Sequence, residues 1–598
     1  MKPRRPIHVL ALALLATVTA CGLPNRVGYR GNVPDSPDEA LRRYADEVHL
    51  AHLDRDPELR ARTGRPWARL WLGRRDPERV ASERRQLKRE LTQLTEVHQR
   101  SRLEEEGLLE WRLLGWTLPI EREALDWSDH EALPRPESGP HLALTEELAN
   151  FIVLEEQDAR EWIEASKEVA EAFRFMTRDV KRLSAEGLLA PRDAYLQVAD
   201  ECRQSLRGYP FEDSGQEASL YAAFIERLGQ ADGVDDSSRA RWSDEAEEIL
   251  RGVLGPAIAR YALSLEELAS SVEQDRGVWS LPDGKEYYSF LVRRATGSSA
   301  PARLVEERTR QLVASARTEL EGLARQLDHP GTIESLLELT LDVQPSIDPD
   351  AADPELRHLL DAAAGAAGDV FPTPAAVELI VEDSPARAGT YGHYARPDGQ
   401  RREALWIPGS GQAPGSRRVP LALQVHRMTW PGRHLRESLL ATQGDLSGFR
   451  RNLVEPAWSG GWDLYALRVA EEIGLTEDPH EVVARVAEEL WAGGLALADF
   501  GVHERRWTPG EAREWLQRTT MQPPAVCEKA VDLILQEPGA AVATAWGLCV
   551  ILDQRKRAER SLALDFDLRG FHALLIGEGP LPSDFIVARV SDWLEDGP

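Results

Sequence analysis

The chain has 598 residues, 42% of them hydrophobic and 29% charged, which excludes a disordered chain and leaves ample core for one large domain or two lobes. Acidic residues exceed Lys plus Arg by 28, so the surface repels a polyanion, and nucleic acid is excluded as a partner. Solubility is sufficient explanation of the acidity, and the basic residues, nearly all Arg, name no ligand by themselves.

Residues 1–20 read as a lipoprotein signal peptide. Lys2, Arg4 and Arg5 give a basic start, Val9 to Ala20 is apolar, and Val18-Thr19-Ala20 sets small residues before Cys21. The apolar run is shorter than a typical membrane span. Cys21 is the expected lipid attachment site, becoming the first residue after cleavage and taking a diacylglycerol on its thiol. Two or three acyl chains hold a protein to a membrane where one is marginal. A chance cysteine at an ordinary cleavage site is the competing reading, and the fit of both flanks favours the lipoprotein. Gly22 is not the acidic signal that often retains such proteins in an inner membrane. An exported bacterial membrane lipoprotein follows, at the outer membrane or cell surface if the host has two membranes.

Residues 21–35 read as a polar tether. At Ser36-Pro37-Asp38-Glu39 a helix begins, with a cap residue, proline at the first position and acids in the first turn. An N-terminal helical part then runs over 36–343. Ala81 to Leu114 reads as one helical stretch with Leu87, Leu91, Leu94, Leu103, Leu108 and Leu109 among charges. Pro134 to Pro140 is a loop, Leu142 to Leu188 holds two or three helices, and Asp232 to Ser238 is a polar turn. No fixed-period repeat is present. Beyond the anchor, Cys202, Cys527 and Cys549 are an odd set without metal spacing; a Cys527–Cys549 bridge is conceivable, and buried free thiols are favoured.

Residues 344–410 read as a linker, rich in Pro and Asp at Gln344 to Pro354, followed by a small antiparallel β-sheet near residues 375–407. Alternation predicts strands over Ala375–Asp383, Thr390–Arg396 and Glu403–Ile407, with a turn at Pro397-Asp398-Gly399-Gln400. A C-terminal helical part fills 411–598. The fold class is mainly α: a large multi-helix domain, with room for two lobes around a cleft.

The stretch Val419 to Gly474 organises this last part. An apolar segment breaks at Pro431-Gly432, with Arg433 and His434 just past the break. A second segment opens on Gly460-Gly461 and repeats Trp462, Tyr465, Val469 and Ile473 at helical spacing. Such a pattern often shapes a cleft, and two packed core helices are the plainer reading.

The two segments resemble the signature of the bacterial domain-of-unknown-function 885 family. The resemblance implies a mostly helical, metallopeptidase-like protein, many of whose relatives are secreted or lipid-anchored. The family's segments read approximately His-Glu-x-Tyr-Pro-Gly-His-His and Glu-Gly-Trp-Ala-Leu-Tyr-Ala-Glu. Aligned on Pro431-Gly432, Arg427 stands for the first His, Met428 for the Glu and Arg433 for the next His, and His434 matches. Aligned on Trp462 and Tyr465, Gly460 and Leu467 replace the two Glu. Gly284 to Tyr288, with the Tyr287-Tyr288 pair, resembles a further family segment. Asp499 and His503 match an Asp-Thr-Gly-x-His motif, and Pro538-Gly539 matches a Pro-Gly-Gln segment with Ala540 for Gln and Thr544 for a later Tyr. Phe566, Phe571-His572 and Pro580-Leu581-Pro582 resemble its closing segment, so the likeness runs from about Asp38 to Leu594.

A hydrolytic zinc site needs three ligands from His, Asp or Glu, an open position for water and a base. The aligned positions offer Arg, Met, Arg, His, Gly and Leu, and guanidiniums repel a dication. A relocated site from His426, His434 and Asp463 is conceivable, but one step along a helix turns a side chain by about 100 degrees. The resemblance therefore implies no cofactor and a catalytically inactive relative: a lipid-anchored binding or scaffolding protein of the envelope. The alternative is an active peptidase with a relocated metal site. The degenerate cleft would comprise Arg427, Met428, Arg433, His434, Gly460, Trp462, Tyr465, Asp499 and His503. Its two arginines suit a peptide C-terminus or another anionic envelope ligand. Against that stands their pairing with acids such as Glu437.

Overall fold

In the computed structural model, the described residues are 36–53, 77–136, 138–342, 354–366, 368, 370–372, 379–383, 391–395, 401–407, 419–443 and 446–597. The expected signal peptide, Cys21, the tether and the Gln344–Asp353 stretch lie outside them.

The first helix is Pro37–Leu53, where the sequence places it. Ser36 Oγ accepts from the Glu39 amide at 3.1 Å, which satisfies a donor that the first turn leaves open. The helical pattern expected from Ala81 to Leu114 folds as more than one helix. A helix ends at Glu96, one 3-10 turn covers Arg100–Arg102, and a second helix runs Glu105–Ala124. Only a hairpin lets Leu87 and Leu94 of the first helix share a core with Leu109, Leu113 and Leu114 of the second. Trp111 Nε1 donates to the Leu94 carbonyl at 3.2 Å and ties the two together.

Two large apolar cores stand out among the described residues. The helices Pro140–Ala149, Glu156–Ala185, Arg192–Gln204, Ser219–Gln230, Asp236–Ile249 and Gly255–Ala269 enclose their own, with Trp162 stacked on Phe224 at 4.0 Å. The larger core joins chain ends that are far apart in sequence: Leu41 and Leu113 meet the cluster of Tyr288, Val305, Trp462, Phe500, Trp546 and Val590. Within it the helix Pro456–Glu472 packs along Val542–Leu562, and Pro479–His503 packs along Ala302–Gln326.

The expected linker region contains a helix, Pro354–Ala366, whose Leu356 is buried beside Leu421 and Val425. Three strands follow, Leu379–Asp383, Tyr391–Ala395 and Arg401–Ile407. The sheet is mixed rather than antiparallel: the third strand lies in the middle, antiparallel to the second and parallel to the first. Period-two alternation marks a strand but carries no information on the direction of its partner. Cys202, Cys527 and Cys549 are all buried and free, and burial pushes their thiols up to about 12, 11 and 12. Among the described residues no helix is long and apolar enough to cross a membrane.

Candidate functional site

The signature segment folds as two helices, Leu421–Met428 and Arg433–Thr442, around a turn with a cis Trp430–Pro431 bond. Gly432 is needed there, because a Cβ on it would lie 1.9 Å from the Arg427 carbonyl oxygen. Trp462, fully buried, donates from Nε1 to the Pro431 carbonyl at 3.2 Å and so fastens the turn to the Pro456–Glu472 helix. Gly460 and Gly461 do not open that helix, as the sequence pattern implied; they lie within it. Their role is close packing. A Cβ on Gly461 would come within 2.4 Å of the Gly547 carbonyl carbon, and one on Gly460 within 2.3 Å of Thr544 Oγ1. Gly460 and Thr544 thus pack against each other.

The turn delivers arginines onto a buried carboxylate. Arg433 Nη2 donates to Asp463 Oδ2 at 2.7 Å, and Arg436 Nη1 donates to Asp463 Oδ1 at 3.2 Å. Both oxygens of Asp463 are therefore taken by guanidiniums. Burial works against ionisation of Asp463, but Arg433, Arg436 and Arg427 outweigh it and hold its carboxyl below the usual range. Arg436 is itself buried, donates also to the Ser459 carbonyl at 3.0 Å, and lies over the Trp458 ring at 4.7 Å. Glu437 pairs with Arg436 at 3.0 Å, not with the two arginines for which the sequence offered it. Arg427 donates to Glu488 Oε2 at 3.3 Å.

The Pro479–His503 helix extends this charge network. Glu489 accepts from Arg468 at 2.7 Å and from Arg485 at 2.8 Å, and Arg485 also reaches Glu471 at 2.6 Å and Glu319. Sequence reasoning missed Arg436, Arg468, Arg485, Glu488 and Glu489. The available signal was charge inside an otherwise apolar helix, Val482 to Phe500, with Arg485 and Glu489 one turn apart.

The remaining predicted residues are divided among other surroundings. Met428 is buried, and His434 Nε2 lies 3.4 Å from Ser438 Oγ beside the Trp430 ring. His426 is buried and neutral, its pKa lowered by burial to about 4. Tyr465 donates to His572 Nε2 at 2.9 Å and accepts from Arg555 at 3.1 Å, while His572 Nδ1 donates to the Val370 carbonyl at 2.6 Å. Asp499 and His503 do not join the arginines. Asp499 accepts from Tyr288 Oη at 2.5 Å and from the Gly539 amide at 3.0 Å. His503 Nδ1 accepts from the Val278 amide at 3.1 Å and Nε2 donates to the Ile534 carbonyl at 2.8 Å, a fully satisfied neutral imidazole. Burial lowers its pKa to about 4. The two matched motif residues are thus buttresses between distant segments, and the predicted single cleft divides into separate clusters.

The residues do not fit a hydrolytic metal. Asp463 is already neutralised by two guanidiniums, and Arg427 and Arg433 bring positive charge that repels a dication to the same segment. Among the described residues no three His, Cys, Asp or Glu side chains form a group that could hold a metal ion, His426, His434 and Asp463 included.

A family model described as a bacterial protein of unknown function (DUF885) matches residues 57–590. No curated protein matches the chain. The crystal structure of a predicted lipoprotein from Colwellia psychrerythraea is similar with a TM-score of 0.79 at 17% identity, covering 94% of this chain and 100% of that one. A predicted lipoprotein of unknown function from Shewanella oneidensis is similar with a TM-score of 0.68 at 14% identity, covering 92% and 98%. At these identities the likeness shows a shared fold.

Proposed function

The chain belongs to the DUF885 family of bacterial proteins of unknown function, and from that premise we propose that it is a catalytically silent, metallopeptidase-like lipoprotein that acts in the envelope by binding or scaffolding. The observation that carries the reading is the state of Asp463, whose two oxygens are occupied by Arg433 and Arg436. Internal guanidiniums already neutralise this buried carboxylate, and a dication brought to it would be repelled by them and would disturb the buried ion pair. The pattern at Cys21, together with lipoprotein relatives of the same fold, supports attachment by lipid. The proposed address is the outer membrane or cell surface if the host has two membranes.

The ligand we assign to this site is a carboxylate-bearing peptide end or a comparable anion, met at Arg427. Its side chain is 29% exposed and its contact with Glu488 is 3.3 Å, looser than the 2.7 Å pair of Arg433. An incoming carboxylate can compete for it with paired hydrogen bonds. Calorimetry with carboxylate-terminated and amidated peptides on wild type and Arg427→Ala tests this; equal affinity across all four pairings overturns the ligand.

Silence itself is tested by metal content. The purified protein should carry no stoichiometric zinc, a chelator should leave Tm unchanged, and peptide substrates should stay intact. A ligand that binds the folded state alone raises Tm by mass action. One equivalent of metal, with hydrolysis that the chelator abolishes, establishes the active peptidase instead.

A further inference from the structure

The charge of this protein is unevenly placed. Against an overall excess of 28 acidic charges, residues 84–102 carry Arg84, Arg85, Lys88, Arg89, Arg100 and Arg102 against Glu90 and Glu96 alone, and Glu90 is buried. The helix Pro77–Glu96 buries Leu87 and Leu94 and turns its other face to solvent. There Arg85, Lys88, Arg89, Thr92, Gln93 and Val97 line a shallow depression, with Val97 65% exposed at its end. Positions 85, 88, 89 and 92 share one helical face. Arg84 is engaged by Asp126 at 2.6 Å and Arg89 contacts Gln86 of its own helix, whereas Arg85 and Lys88 make no ion pair among the described residues.

This basic face lies on the helix that leads into the turn packed against the start of the first helix. Asp38 Oδ1 accepts from the Glu104 amide at 3.1 Å, so the start of the first helix lies beside the Arg100–Arg102 turn. At a rise of 1.5 Å per residue, Lys88 is about 12 Å along its helix from Glu96.

We infer that the Arg85–Lys88–Arg89 face, with the Arg100–Arg102 turn, is a docking surface for an anionic phospholipid bilayer. A tether alone leaves an acidic body free to move away from a negative membrane. A basic patch beside the start of the first helix gives a second, electrostatic hold and orients the body, with Val97 able to enter the headgroup layer. The inference rests on the proposed lipid attachment at Cys21 and not on whether the signature site is silent.

The test uses residues 21–598 with Cys21→Ser, which keep every described element and carry no acyl chain. Co-sedimentation with vesicles of phosphatidylcholine, with and without phosphatidylglycerol, reads binding. Binding is expected on the anionic vesicles alone and should be lost in high salt. Each basic side chain at such a surface is worth about fivefold, so R85Q/K88Q/R89Q should weaken binding about a hundredfold. R174Q/R178Q/K181Q, on another helix, should bind like the parent. The reactivity of Lys88 with an amine reagent should fall when anionic vesicles are added. Equal binding to both vesicles, no binding to either, or equal loss in both triple variants overturns the proposal. So does a Lys88 already protected without vesicles, which would mean that the chain itself or a second copy covers this face.

Discussion

Tyr288 and Asp499, 211 residues apart, meet through a 2.5 Å hydrogen bond inside the larger core. Asp499 also accepts from the Gly539 amide at 3.0 Å, so one carboxyl joins the helices Gly284–Thr296 and Pro479–His503 to the turn before Val542. Burial raises its pKa to about 7 against the pull of Tyr288 and of backbone amides. A raised carboxyl favours the folded state while it is protonated there. That contribution is full below the unfolded value near 4 and is lost as pH rises through about 7. Asp499→Asn keeps an acceptor for Tyr288 and cannot ionise. It should flatten the dependence of Tm on pH between about 4 and 7 and exceed wild type in stability above pH 7, by on the order of 1–3 kcal/mol. Parallel pH profiles for the two proteins would disprove the assignment.

Asp463 should behave in the opposite sense, because its carboxyl is held low. Its contribution is present above the unfolded value and is lost as pH falls through the lower, folded one. Asp463→Ala leaves Arg436, 3% exposed, without its buried partner, and should cost about 3–5 kcal/mol. Replacing the pair by apolar residues, Arg436→Met with Asp463→Leu, should recover most of that loss, since Arg433 is exposed enough to turn to water. Denaturant titration of the single and double variants checks both numbers. A double variant no better than Asp463→Ala would show that the site is held by more than this charge pairing.

The crossing of Pro456–Glu472 with Val542–Leu562 depends on absent side chains. A Cβ on Gly547 would lie 1.8 Å from the Ala457 carbonyl oxygen, and backbone cannot move aside as a side chain can. Gly547→Ala should therefore destabilise by about 1–3 kcal/mol, towards the upper end. Gly322→Ala, with nothing near its added methyl and a helical position, should instead stabilise by about 0.5–1 kcal/mol. Urea midpoints for the two variants should move in opposite directions.

Cys21→Ser should leave the precursor unprocessed and let the protein be washed from the membrane fraction in high salt, where an electrostatic hold alone fails. Fractionation and the mass of the N-terminal peptide read the two effects separately. A variant that stays membrane-bound and matures normally would remove the lipid anchor.

Local residue chemistry carried much of the reading. The periodic leucines and the cap at Ser36 announced helices, and short alternating runs announced strands, because both depend on neighbours within a turn or a pleat. That Arg427 and Gly460 offer neither imidazole nor carboxylate was also visible, since a residue type declares what it can donate. What folded packing decided was partnership. Arg433 finds Asp463 across 30 residues and Arg427 finds Glu488 across 61, and no periodicity says which helix will cover which face. The same holds for His503, whose neutral state is set by Val278 and Ile534, and for Gly460, whose place is dictated by Thr544. Sequence pattern reports which face of an element avoids water. Only the three-dimensional arrangement supplies the specific groups against which that face, and any charge embedded in it, comes to rest.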